Sequence, residues 1–237
     1  YPNTDWQDAV LRNYAPEQHH NLSVSGGTDR LRLRGSLTYI DQSGLVPNTE
    51  HERYGIRLNS NVEVTSDIDI SFDLHGRQTS DAEPSEGIGS LMRTMNQMPP
   101  IYNAKYSDGT WASDYDGRNP AAHAHDGGVA KTTWRNATVR LQGTYSPIDN
   151  ASIEVLFAPD YTARRTRDFR RQIEFLNPET GDLRLVEPQT STLNVSDSER
   201  LETTLNAIGR YSTDFGNSYI QGLLGAQRVT SSTDWFS

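Results

Sequence analysis

Leu31-Arg32-Leu33-Arg34-Gly35-Ser36-Leu37-Thr38-Tyr39 alternates apolar and polar side chains almost without interruption. In an extended chain successive side chains leave on opposite faces, so this run is a strand with three leucines and a tyrosine on one side. Two arginines, a serine and a threonine take the other. The same period recurs where Tyr54, Ile56, Leu58, Ser60, Val62 and Val64 oppose Arg53, Arg57, Asn59, Asn61 and Glu63. It recurs again where Ile68, Ile70, Phe72 and Leu74 oppose Asp69, Ser71, Asp73 and His75, and where Val139, Leu141, Gly143 and Tyr145 oppose Thr138, Arg140, Gln142 and Thr144. With the strand-like segments that precede and follow, the chain predicts about eight strands, near residues 20–26, 31–41, 52–64, 68–78, 134–146, 151–163, 200–213 and 218–230. The last of these carries apolar residues on both faces.

The connections alternate between tight and long. Residues 26–29, 65–67, 146–150 and 214–217 are short and rich in Gly, Asn, Asp or Pro, the residues that hairpin turns require. Between them fall residues 42–52, a long loop over 79–133 and another over 164–199. Short turns on one rim and long loops on the other are the organisation of an up-and-down transmembrane β-barrel, whose short rim faces the periplasm. Strand length agrees, because a tilted membrane-crossing strand needs about 9 to 11 residues where a globular one averages about 5 or 6. Arg32, Arg34, Arg57, Glu63 and Asp73 on the polar face suit a water-filled lumen. The expected fold is therefore all-β, with residues 1–237 forming one partial barrel domain. A soluble antiparallel sheet with one wet face remains as the other reading.

Composition narrows the classes further. A net charge of −9 argues against a nucleic-acid surface, which presents a basic stripe to phosphates. The nearest cluster, Arg164, Arg165, Arg167, Arg170 and Arg171, is interspersed with Asp160, Asp168 and Glu174 and is expected in a solvated loop. No run approaches the roughly 18 apolar residues of a membrane-spanning helix, which says nothing against a barrel. Cysteine is absent, so disulfides and thiolate metal sites are excluded. The start at Tyr1 without an apolar leader is read as that of a piece of a longer protein.

The longest loop holds one predicted helix, with Ile88, Leu91, Met92, Met95 and Met98 at three- and four-residue spacings before Pro99-Pro100. Asp114, Asp116 and Asn119 lack the spacing of a calcium loop and read as a polar turn. His123 and His125, two apart, would share one side of an extended segment, without an identifiable third metal ligand. No nucleophile elbow, phosphate loop or dinucleotide fingerprint is present, so no cofactor and no catalytic residue are expected.

Several strings carry a family resemblance. Asn3-Thr4-Asp5-Trp6-Gln7-Asp8 precedes His20-Asn21-Leu22-Ser23-Val24-Ser25-Gly26-Gly27; then come Leu37-Thr38-Tyr39-Ile40-Asp41-Gln42-Ser43-Gly44-Leu45 and Glu52-Arg53-Tyr54-Gly55-Ile56-Arg57-Leu58-Asn59. The long loop continues with Met92-Arg93-Thr94, Pro99-Pro100-Ile101-Tyr102-Asn103, Asp108-Gly109-Thr110 and Asn119-Pro120. In this order the strings resemble the SusC/RagA-type TonB-linked outer-membrane transporters of gut and oral Bacteroidetes, closely to about residue 150 and only in topology beyond it. The resemblance implies an internal fragment, near the start of a plugged barrel of about 22 strands. It also implies an outer-membrane location, import of an oligosaccharide or peptide, a SusD-like surface lipoprotein partner, and TonB engaged through parts outside this chain.

Within that picture Tyr102, Tyr106, Trp111, Asp114 and Tyr115 are the expected ligand-contact residues, since aromatic faces stack on sugars and carboxylates accept hydroxyl hydrogen bonds. Trp134 stands nearby in sequence, and interface anchoring is the competing role for such aromatics. Two other readings stay open: a soluble carbohydrate-binding or adhesive β module, and a secreted glycoside hydrolase using a pair among Asp69, Asp73, Glu154 and Asp160.

Overall fold

The computed structural model describes residues 2–113, 115, 118–176, 180 and 182–236. The alternating segments form one eight-stranded antiparallel sheet in which each strand pairs with the next one of the sheet along the chain. Its members are β1 (Glu17–Gly27), β2 (Leu31–Ser43), β3 (Glu50–Thr65), β4 (Ile68–Pro84), β5 (Gly128–Ile148), β6 (Ala151–Arg170), β9 (Thr192–Phe215) and β10 (Ser218–Phe236). Before β1 stands the short helix α1 (Trp6–Val10); between β4 and β5 come α2 (Ile88–Gln97) and α3 (Pro120–Asp126). Between β6 and β9 lies a separate hairpin, β7 (Ile173–Leu176) with β8 (Leu183–Glu187). Helices and hairpin all occupy the long-loop rim.

Register turns the alternation into two continuous surfaces. Leu22, Leu37, Ile56, Gly76, Ala137, Tyr161 and Leu201 face one another in a single row across seven strands. Leu33, Ser60, Phe72, Leu141, Phe157 and Leu205 form a parallel row. On the opposite face Ser36, Arg57, His75, Thr138, Asp160 and Glu202 line up. Polar groups there bond across strands: Asn21 donates to Thr38 at 2.9 Å, Asn59 to Asp73 at 2.5 Å, Asn136 to Thr162 at 3.1 Å, and Arg210 meets Glu154 at 3.2 Å.

Nothing among the described residues covers the apolar face. Leu22 is 63% exposed and Leu37 52%, whereas a sandwich would bury both. Burying one such side chain is favourable by about 1.5–3 kcal/mol, so a row repeated over seven strands fits hydrocarbon as its solvent. From Leu31 to Tyr39 the band runs about 27 Å along the strand and about 20 Å once tilted, near the ~25 Å apolar belt of such barrels. His20, Tyr39 and Tyr54 close its upper edge, with ring centroids 6.1 and 5.1 Å apart. One row higher the same face turns polar, through Asp41, Glu52, Ser80, Thr133, Arg165 and Asp197. The soluble-module reading requires a second sheet against these rows, and none of the described residues supplies one.

Four expectations are corrected. β5 starts at Gly128, β6 runs to Arg170 and β9 starts at Thr192, so the long connections shrink to residues 85–127 and 171–191. Above the membrane both faces are wet, so the ladder continues after the hydrophobic period has stopped. The arginines at 164, 165, 167 and 170 therefore sit on a strand, not in a loop. The longest connection holds two helices rather than one, because α3 is started by a cap and not by an apolar stripe. His123 and His125 lie on that helix, about 200° apart around its axis.

β1 and β10 each have one neighbour, leaving the wall open at both edges. The buried core sits instead in the rim, where Trp6, Val10, Val46, Leu91, Met95 and Met98 pack with Ala121 and Ala124. Asn119 organises it: its amide donates to the Ala104 carbonyl at 2.7 Å and the Ala112 carbonyl at 2.9 Å, and its Oδ1 accepts from the Ala122 amide at 3.0 Å as the α3 cap. Gly128, at φ +95°, lets the chain pass from α3 into β5, where a Cβ would strike the Phe169 carbonyl oxygen.

Two outcomes follow. Leu58→Arg places a cation in the apolar band and costs about 2–4 kcal/mol of membrane stability, whereas Asn59→Arg on the wet face is tolerated; heat-modified gel mobility of the full-length protein in its membrane compares them. Asn119→Ala strands buried backbone groups at about 1–3 kcal/mol each, which limited proteolysis detects as faster cutting of residues 99–119 with the sheet intact.

Candidate functional site

The rim module brings the expected aromatic residues together, mostly by packing. Lys105 bridges to Trp111 as a two-residue ladder, and Asp108 closes the turn between them by accepting from the Thr110 amide at 2.9 Å and hydroxyl at 2.7 Å. These bonds, the amide's first, hold the Asp108 carboxyl below its ordinary range. Tyr106 shapes the same turn through its backbone and is half-buried. Trp111 carries the Lys105 ammonium 4.0 Å over its ring, stacks on His125 at 5.9 Å and donates from Nε1 to Asp126 at 2.7 Å. Tyr102 and Tyr115 lie together at 5.1 Å. Trp134 stands apart on the wet face of β5 beneath Arg164. Asp114 and Asp116 lie outside the described residues.

Tyr115 also borders a cavity of about 610 Å³ that sequence reasoning missed, walled by Glu86, Arg93, Arg118, His123 and Glu187. Arg118 sits over the Tyr115 ring at 5.7 Å. The wall thus offers cationic donors, carboxylate acceptors and an aromatic face within one space. Burial holds the His123 imidazole below its usual range, opposed by the Glu86 and Glu187 carboxylates, so a neutral ring faces the cavity at pH 7. His125, on the other side of α3, is lowered by burial and by the Lys105 charge. Residues from 86 to 187 converge here, and the one local sign was Asn119-Pro120, a cap followed by proline at the first helical position.

The acids considered for hydrolysis are distributed along the wet face of the wall. Asp73 accepts from Asn59, Asp160 from Thr138 at 2.5 Å, and Glu154 is paired with Arg210. Asp69 lines a separate space toward the short-turn end with Arg30, Arg32 and Glu63. Among the described residues no three histidines or carboxylates gather as a metal set.

No family model matches the chain. TonB-dependent receptor P26 of Formosa agariphila is 26% identical over 177 residues, which cover 71% of this chain and 17% of that protein. TonB-dependent receptor SusC of Bacteroides thetaiotaomicron is 39% identical over 57 residues, 24% of this chain and 6% of that protein. In fold, the chain matches a structure of the RagAB peptide importer in its closed-closed state, with a TM-score of 0.71 at 18% identity over 98% of this chain and 27% of the other. The chain therefore spans only a fraction of each protein it matches. The chain is thus similar in sequence to segments of TonB-dependent receptors, including SusC, and in fold to the RagAB barrel, and its wall, apolar on one face and polar on the other, is that of an outer-membrane barrel segment.

Proposed function

We propose that the full-length protein imports an oligosaccharide or peptide across the outer membrane in a TonB-dependent manner, this chain supplying barrel wall and extracellular loops. The observation that carries the reading is the pairing of a wet, charge-lined inner face with a folded rim module above it. A lumen lined by Arg57, Asp73, His75 and Arg140 hydrates a polar solute along its path, and the outer rim is where such a solute arrives. A SusD-like lipoprotein partner would close over that rim, and TonB would act through parts outside this chain. The likeness to SusC and RagAB supports both assignments.

The cavity beside Tyr115 is the proposed capture point, with Tyr102, Tyr106 and Trp111 in the same rim module. Arginine and glutamate side chains in one wall bond equally to hydroxyls, amides or peptide termini, while the Tyr115 face stacks on a ring. Trp111 acts chiefly as support, because its ring and its Nε1 are already engaged within the module. Cells carrying the full-length protein, given labelled oligosaccharide and peptide pools separately, take up one pool and lose that uptake on deletion of the protein. Tyr115→Ala with Arg118→Ala weakens capture about tenfold, the scale of losing one well-packed contact. Uptake of neither pool above the deletion background refutes the import reading.

A further inference from the structure

On β5 and β6 the outward face carries an unusual charge pattern above its apolar band. Past Ala137 and Ala163, the outward positions are Arg135, Thr133, Lys131 and Val129 on β5, and Arg165, Arg167 and Phe169 on β6. Register sets Lys131 directly opposite Arg167. Like charges facing each other across a ladder are destabilising, and no acid lies between these two. Arg171, tied by its amide to the Gly127 carbonyl at 3.0 Å, adds a further cation at the strand end. Lys131, Arg165, Arg167 and Arg171 together line a cavity of about 520 Å³ whose one carboxylate is Asp126. Arg165 is paired with Asp197 at 3.6 Å; among the described residues Lys131, Arg167 and Arg171 make no ion pair. A bound anion would relieve the repulsion within this cleft.

Position selects which anion. The cleft is on the face that meets lipid, across the wall from the polar path proposed for the solute. Lys131 and Arg167 stand four residues above the Arg135 row, about 14 Å along the strand and about 10 Å in height once tilt is included. That is beyond the ~5–8 Å headgroup layer of a simple phospholipid and level with charge borne on sugars. Phe169, on the same cavity wall, adds an apolar surface beside the cations.

We propose that this cleft binds a sugar-borne phosphate of an outer-leaflet glycolipid, fastening the barrel's outer surface to the lipid around it. Each basic residue near an anionic surface contributes about fivefold to affinity. Lys131→Gln, Arg167→Gln and Arg171→Gln combined therefore weaken binding roughly a hundredfold.

The test uses the full-length protein in detergent, titrated with bisphosphorylated lipid A in mixed micelles, with the fully dephosphorylated lipid, and with inorganic phosphate. Native mass spectrometry reads occupancy. Bisphosphorylated lipid is expected to bind the wild type, the triple variant to lose it, and the dephosphorylated lipid to bind neither. A second variant, Arg32→Gln with Arg34→Gln and Arg57→Gln, removes the same charge from the inner face and is expected to keep full binding. Equal binding by the triple variant, equal loss in the inner-face variant, or equal binding of the dephosphorylated lipid overturns the proposal. So does inorganic phosphate binding as tightly as the lipid, which makes the cleft a free-anion site.

Discussion

Backbone hydrogen bonding in a solvent that offers none is the constraint on which this structure depends. Hydrocarbon cannot satisfy an amide or a carbonyl, so a sheet crosses it only when its strands pair edge to edge. Six of the eight strands here are flanked on both sides, and only β1 and β10 present an unpaired edge. Once pairing is enforced, the two-residue period of the side chains has one consequence left to it. Leucine, isoleucine and phenylalanine gather on one surface, while arginine, asparagine and aspartate gather on the other. The rows running through Leu37 and Arg57 are the two sides of that single choice.

The same ladder explains why the rim carries chemistry. Above the aromatic row at Tyr39 and Tyr54 the strands no longer need an apolar face, yet pairing continues to Arg170 and Thr192. These upper ends are a rigid support for segments with a small core of their own, closed by Trp6, Leu91 and Met95 and pinned by Asn119. A cavity lined by Glu86, Arg118 and Glu187 is held in place by that core. The same module thus holds its own packed core and the polar side chains of the cavity wall side by side.

How much was legible followed the physics closely. β2, β3, β4 and the lower half of β5 were visible because their two faces meet unlike solvents, and unlike solvents select unlike residues. The upper ends of β5 and β6 are hidden for the converse reason: Lys131-Thr132-Thr133 and Arg164-Arg165-Thr166-Arg167 are wet on both sides, so no period marks them. Helix α2 showed its stripe at Leu91 and Met95, which are buried. Helix α3, built on Pro120-Ala121-Ala122, has no stripe to show, and its histidines, two residues apart, have the spacing of an extended pair. The aromatic cluster in the long loop was legible as composition, but its division into support at Trp111 and cavity lining at Tyr115 depends on partners as distant as Glu187.

The central claim is that one face of this wall meets hydrocarbon and the other meets water, and a single-cysteine scan of β2 tests it directly. The chain has no cysteine of its own, so, once any cysteine elsewhere in the full-length protein is replaced, each position from 31 to 39 can be labelled alone with a nitroxide in bilayers. Relaxation by oxygen is expected to peak at 31, 33, 37 and 39, and relaxation by a water-soluble nickel chelate at 32, 34, 36 and 38. A chelate signal that is uniform along the strand, or strongest at the leucines, contradicts the account.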